Sequence, residues 1–316
     1  MPDQMVLAAP FTPFKADGSL NATADGVDAL AAQAASFGVT TVWVPGSMGQ
    51  FDALTVVERK ALLEAWAPAA KKHGLYLIAH VGSTSIGDAT ELARHAHQIG
   101  APAIATVPPY YERTSDVPTI CKFLAAIGAA APTLPLFYYH IPGMTGADIK
   151  VGELLRLAAS NATDTAVPTL AGVKYVSDDL ADWFDLVQTF NTTRALMFAP
   201  EPKLAHFGLG SGRGVILAED FFAPTYLRMR AAYLARDHDH AAREQAFKFA
   251  ASAVIHKYGG TEAERALYRA FPLTPDFQYG PPRLPKLPFQ ETNWAALHKE
   301  LAALGFWDSL APPHYH

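Results

Sequence analysis

Short apolar runs recur along the first two thirds of the 316-residue chain, each ending at glycine, proline or a polar cluster. They are MVLAAP (5–10), TTVWVPG (40–46), YLIAHVG (76–82), AIATVPP (103–109), LFYYHIP (136–142), LAGVKYV (170–176), ALMFAPE (195–201) and GVILAED (214–220). The runs are continuous and rich in β-branched residues, which is the pattern of strands covered on both faces. Between them lie segments with apolar spacing near 3.6, such as TVVERKALLEAWAPAAKKHG (55–74) and IGDATELARHAHQIG (86–100). Eight β units alternating with helices predict an α/β fold, a (β/α)8 TIM barrel, with a doubly wound open sheet as the alternative. From about residue 224 the pattern turns helical: PTYLRMRAAYLARDHDHAAREQAFKFAASAVIHKYG reads as one long helical stretch, then the loop FPLTPDFQYGPPRLPKLPFQ, then a last helix near 292–304. The expected organisation is a barrel over 1–223 and a C-terminal helical segment over 224–316.

Composition narrows the class. Half of the residues are hydrophobic and 17% are charged, enough to bury a large core and too apolar for a disordered chain. A net charge of −5 gives no basic footprint for nucleic acid. The one cysteine, Cys121, excludes an intrachain disulfide and suits a reducing compartment. The N-terminus lacks a basic stretch followed by a long apolar run, and no window holds the ~18 apolar residues of a membrane span. The expectation is a soluble cytoplasmic protein without membrane or nucleic-acid partners.

In such a barrel, reactive groups stand at the C-terminal ends of the strands. Lys174 lies inside LAGVKYV, where an unpaired ammonium is costly. Two readings stay open: a lysine paired with Asp178 or Asp179, or an amine of depressed pKa ready to form a Schiff base with a carbonyl. The second run ends in VPGSMGQF, where Gly46 and Gly49 allow a tight loop of N–H groups converging on an anion and Ser47 adds a hydroxyl. The alternative there is an ordinary turn. The fourth run ends in Tyr110 and Tyr111, an aromatic pair that also suits plain packing. Together these features fit a 2-oxo acid: lysine for its carbonyl, a tyrosine to move protons, the loop for its carboxylate.

The fifth run places Tyr138, Tyr139 and His140 side by side. Strand neighbours point to opposite faces. If Tyr139 faces into the barrel, Tyr138 and His140 face the helices, and His140 is a packed histidine with one satisfied nitrogen.

GSMGQFDALTVVER (46–59), TVPPYYERTS (106–115), GVKYVSDDL (172–180) and GPPRLP (280–285) resemble segments of the dihydrodipicolinate synthase and N-acetylneuraminate lyase superfamily. YYHIPGMTG (138–146) is similar to the animal-type N-acetylneuraminate lyases. The resemblance covers nearly the whole chain. It implies a metal-free class I aldolase that works through pyruvate, with no cofactor beyond a covalent imine on Lys174. It further implies Tyr139 as the proton carrier, Ser47 and Tyr111 as the rest of a tyrosine–hydroxyl–tyrosine relay, and the Ser47 and Met48 N–H groups, in the loop closed by Gly49, as holders of the pyruvate carboxylate. Tyr111 matches a tyrosine that many members present across a subunit interface, which implies a homotetramer.

The match weakens in places. Met48 and Gln50 stand where the family usually has threonine and glutamate. Ala199, Pro200, Glu201 and Pro202 replace a GxDE segment whose acids hold a sugar tail, leaving Glu201 for one hydroxyl. After the eighth run, Leu217 and Ala218 replace a serine and small residues. The expected partners are therefore pyruvate and an aldehyde other than N-acetylmannosamine, or the corresponding 2-oxo acid. The same-class alternative is a dehydratase or hydratase-aldolase on a sugar-derived 2-oxo acid. A non-catalytic 2-oxo acid binding protein is the alternative of another class. A synthase of the dihydrodipicolinate type fits less well, because HIPGMTG offers no clear counterpart to its arginine for a second carboxylate.

Three other motifs carry less. GLGSGRG (208–214) lacks the spacing of a phosphate loop and precedes a strand, so it reads as a tight turn. The H-x-H pairs in RHAH (94–97) and DHDHAARE (237–244) point different ways on a helix and read as solvated surface rather than a metal site. The terminal PPHYH is too short to interpret.

Overall fold

The computed structural model describes residues 4–201, 203–209, 212–271 and 279–310. Pro202, the Gly210–Ser211 part of GLGSGRG, residues 272–278 of the long loop and the terminal PPHYH lie outside the described residues. Eight strands close a barrel in chain order: β1 (Met5–Ala8), β2 (Thr41–Val44), β3 (Tyr76–His80), β4 (Ala103–Thr106), β5 (Leu136–His140), β6 (Leu170–Tyr175), β7 (Ala195–Phe198) and β8 (Gly214–Ile216). This is the predicted TIM barrel. Most strands are shorter than the apolar runs that announced them. Pro10, Pro45, Pro108, Pro142 and Pro200 each remove a ladder donor just beyond a strand. The eighth run, expected to extend to Asp220, ends as a strand at Ile216, and Ala218 then takes a left-handed φ of 40°.

The chain forms two compact units. The first joins the residues up to Leu7 with Tyr76–Ile216. Its strands fix which side chains point inward. His80 pairs in register with Ala105, Ala105 with Phe137, and Phe137 with Gly172, so these four share a face. Tyr139 and Lys174 are partners two residues further along the same two strands and share it too. That face is the barrel interior, because His80 on β3 meets Tyr139 on β5, ring centroids 6.1 Å apart, past the small Ala105 between them. Gly172 is required where it stands. A Cβ there would lie 2.1 Å from the Ala195 carbonyl oxygen and 2.8 Å from the Phe137 ring.

The opposite face carries an outward ladder of rings. Tyr138 contacts His140 at 6.0 Å, His140 contacts Tyr175 at 5.2 Å, and Tyr175 contacts Trp183 of helix Leu180–Phe190 at 5.5 Å. The alternation expected for LFYYH is therefore present. Helices Ile86–Gln98, Val117–Ala130 and Leu180–Phe190 start at side-chain caps: Ser85 accepts from the Asp88 N–H, Asp116 from Thr119 and Asp179 from Asp182. In RHAH the surface reading holds for His97 only. His95 is buried on the stripe of Ala89, Leu92 and Ala96, because the helical period turns it toward the strands.

The second unit comprises Ala8–Leu75 and the residues from Leu217 onward. Thr55 and Glu58 form a reciprocal capping box at the start of helix Val56–Lys72. The stretch read as one long helix is two, Ala223–Leu234 and His238–Lys257. Arg236 turns to a φ of 62°, and the Asp237 side chain caps the second helix by accepting from the His240 N–H. The signal was an aspartate inside DHDH, which favours a helix start over a helix interior. The helix expected near 292–304 runs Trp294–Ala303, and a short helix, Phe306–Ser309, follows it. Among the described residues, no helix is long and apolar enough to cross a membrane.

Candidate active site

Lys174 is 3% exposed inside the first unit. Its Nζ lies 4.2 Å from the centroid of the Tyr139 ring. Burial pulls its pKa down from 10.5 to about 7. That drop corresponds to about 5 kcal/mol against the charged form, whereas an aromatic face favours an ammonium by ~0.5–2 kcal/mol, so desolvation wins. The carboxylate partner that the sequence allowed is engaged elsewhere in the case of Asp179, which takes the Lys150 ammonium at 2.5 Å and caps its own helix.

Three features of this unit were not read from the sequence: His80 beside Tyr139, the hold of Lys203 on its own loop, and the packing of Arg113 on Gly146. His80 is buried beside Tyr139 with its ring edge-on to the phenol ring. Its signal was a lone histidine inside the third apolar run, YLIAHVG. Lys203, in helix Lys203–Gly208, is 2% exposed, and its ammonium donates to the Ala199 carbonyl and, at 3.0 Å, to the Pro200 carbonyl. The segment leaving β7 is thus held by a lysine, and Glu201 is exposed beside it. On the loop after β4, Tyr111 is 83% exposed. Two residues on, the Arg113 stem packs against Gly146, where a Cβ would come within 2.7 Å of it, and Gly146 takes the positive φ that the turn after β5 needs.

The second unit holds the loop Gly46–Gln50. The Gln50 N–H donates to the Ser47 carbonyl at 3.1 Å and the Phe51 N–H to the Gly46 carbonyl at 3.3 Å, which closes a tight turn. Gly49 is enclosed on three sides: a Cβ would meet Thr12 Oγ1, the Pro10 carbonyl and Pro45 at 3.1–3.2 Å. The Thr12 hydroxyl also donates to the Gly49 carbonyl at 2.6 Å. Ser47 and Met48, at the tip, are half-buried. Gln50 is buried in the left-handed region, at φ 51° and ψ 50°. In the same unit Leu217 is buried and Ala218 half-buried, and the Ala218 carbonyl accepts from the Ala9 N–H at 2.9 Å. Asp220 follows. Burial pushes its pKa up to about 6 although Tyr268 and Gln33 donate to it at 2.6 Å and 3.3 Å. Among the described residues, no group of three or more His, Cys, Asp or Glu is arranged to hold a metal ion.

Comparison with known proteins agrees with the motifs. Residues 3–304 match the dihydrodipicolinate synthetase family. The chain is 30% identical to the N-acetylneuraminate lyase of Mus musculus over 312 residues, which covers 96% of this chain and 93% of that one. It is 40% identical to the N-acetylneuraminate lyase of Danio rerio over 179 residues, a match that spans 56% of each chain. The structure of Proteus mirabilis N-acetylneuraminate lyase superposes with a TM-score of 0.87 at 29% identity, over 96% of this chain and 99% of that one. Family match, length of alignment and fold all agree: the chain belongs to the dihydrodipicolinate synthetase family, with N-acetylneuraminate lyases among its relatives.

Proposed function

We propose that this carbon–carbon lyase is a class I, pyruvate-dependent aldolase whose tail pocket is remodelled for an aldehyde other than N-acetylmannosamine. The observation that carries the reading is Lys174: a buried amine, with a pKa brought to about 7, on the face of Tyr139. A lysine at that pKa is about half neutral, and so nucleophilic, at pH 7. In the cleavage direction the neutral amine adds to C2 of the 2-oxo acid and water leaves, giving the imine. Tyr139 takes the proton of the C4 hydroxyl as the C3–C4 bond breaks and the aldehyde departs. The imine acts as the electron sink, becoming an enamine. A proton returns to C3, and water releases pyruvate and the free lysine. No cofactor beyond that imine enters the proposal.

The remaining roles follow the motifs. The N–H groups of Ser47 and Met48, in the loop fixed at Gly49, take the pyruvate carboxylate. The Ser47 hydroxyl and Tyr111 complete the proton relay. The 83% exposure of Tyr111 suits a side chain offered to another subunit, and a homotetramer is the assembly we propose. Glu201, Leu217 and Ala218 are assigned to the aldehyde half. A site with few hydrogen-bonding groups discriminates weakly for a polyol, so apolar Leu217 and Ala218 favour a tail with fewer hydroxyls.

The test is condensation of pyruvate with a panel of aldehydes that includes N-acetylmannosamine. Product should form with at least one other aldehyde faster than with N-acetylmannosamine, and Lys174→Met should form none. Cleavage of N-acetylneuraminate with ordinary efficiency would sink the remodelled-tail reading. Loss of water from a sugar-derived 2-oxo acid, without any aldehyde released, would replace the aldolase by a dehydratase.

A further inference from the structure

We infer that Gln50 and Arg283 are positioning residues for the carboxylate-binding loop, and that the segment around Arg283 is therefore a working part of the site. This rests on the reading above, in which Ser47 and Met48 hold the pyruvate carboxylate.

The Gln50 side chain reads the backbone of Arg283 with both of its groups. Its Nε2 donates to the Arg283 carbonyl at 2.8 Å, and its Oε1 accepts from the Arg283 N–H at 3.1 Å. An amide offers one donor and one acceptor, which matches a peptide unit. A glutamate, the residue usual at this place in the resembling family, would set a carboxylate oxygen against the Arg283 carbonyl.

Arg283 is itself immobilised. Its guanidinium donates to the Gly18 carbonyl at 2.9 Å and the Ala53 carbonyl at 2.9 Å, and makes a two-pronged contact with Glu58 at 2.8 Å and 2.5 Å. It also lies 4.7 Å from the centroid of the Phe14 ring. Arg283 holds the Glu58 carboxyl down at a pKa of about 2, so the pair stays ionised throughout the neutral range. Glu58 is in turn the capping-box acid of helix Val56–Lys72.

A continuous set of contacts therefore runs from that helix start through Glu58 and Arg283 to Gln50. Gln50 closes the turn by donating its N–H to Ser47 and sits in a left-handed conformation that non-glycine residues rarely keep. Such a conformation persists where its surroundings over-determine it, and the bidentate hold on Arg283 does so here. Ser47 and Met48 lie three and two residues before Gln50. Releasing Gln50 lets their N–H groups move, while Lys174 and Tyr139, on other strands, keep their chemistry.

The test compares two ketones on the full-length enzyme. Pyruvate carries the carboxylate that the loop would grip, and acetone lacks it. Borohydride trapping on Lys174 is followed against ketone concentration for wild type, Gln50→Met and Arg283→Lys, with melting curves to confirm folding. Half-saturating pyruvate should rise about tenfold or more in both variants, as expected when a well-made buried hydrogen-bonded pair is lost. Trapping by acetone should stay within about twofold of wild type. Should Gln50→Met fail to fold, Gln50→Glu, equal in size, takes its place. Unchanged half-saturation for pyruvate, or equal losses for both ketones, would overturn the positioning role. A wild-type enzyme that traps acetone with no preference for pyruvate would instead overturn the carboxylate reading beneath it.

Discussion

The Lys174 Nζ stands 4.2 Å from the centre of the Tyr139 ring, and the two residues are register partners on adjacent strands β5 and β6. The pairing places an amine and a phenol-bearing ring on one face of the barrel wall. Burial then decides the protonation state of the amine, since desolvation outweighs what an aromatic face returns to the cation.

The first consequence is a pH profile. The rate of imine formation with pyruvate should rise with pH and level off with a midpoint near 7, where the Lys174 pKa has been brought. Rapid borohydride quenching across pH 5–11 measures it. A midpoint near that of an ordinary lysine would show that the fold leaves the amine unperturbed.

The same burial costs stability. The pKa of Lys174 is about 7 in the fold against 10.5 for a free lysine, so between these values the unfolded chain binds the proton and the native one does not. Stability then rises with pH through that window, and the penalty is fully present below about pH 7. Lys174→Met should therefore be more stable than wild type at pH 7, on the order of a few kcal/mol, with the gap closing toward pH 10.5. Denaturant melts at several pH values check this, and a destabilised Lys174→Met at pH 7 would contradict it.

Removing only the phenol hydroxyl separates binding from proton transfer. Tyr139→Phe keeps the ring under Lys174. Imine trapping by pyruvate should survive, while turnover falls by about 10²–10⁴-fold, the usual worth of a general acid–base group. Equal losses in trapping and turnover would mean that Tyr139 serves the lysine rather than the substrate.

His140, next in sequence, should behave differently. It is buried in the outward ring ladder, and burial lowers its pKa to about 4. The neutral ring is the folded form, so stability falls as pH drops from the ordinary histidine value of 6.5 toward 4. His140→Phe should keep turnover within about threefold at pH 7 and resist acid better than wild type over that window. A loss of turnover as large as that of Tyr139→Phe would place His140 in the chemistry.

Much of this was legible in the sequence, for identifiable reasons. The strands announced themselves because both of their faces are covered, and prolines marked where most of them stop. Tyr139 could be told from Tyr138 and His140 because a strand alternates strictly. Lys174 stood out because a lysine in a buried run needs an explanation. What escaped notice depends on distant contacts or on a misjudged face. Gln50 and Arg283 are 233 residues apart, and nothing in either segment names the other. The Lys203 ammonium turns back onto carbonyls of its own loop, which its position after FAPEP did not suggest. His95 and His97 look alike as an H-x-H pair, yet the helical period carries His95 onto the buried stripe and leaves His97 outside it.

The most direct measurement is intact-protein and peptide mass spectrometry after borohydride reduction in the presence of pyruvate. The protein should gain the mass of one reduced pyruvate adduct, carried by the peptide that contains Lys174, and Lys174→Met should gain none. A wild-type protein that gains no mass, or gains it equally in Lys174→Met, would contradict a Schiff-base aldolase centred on this lysine.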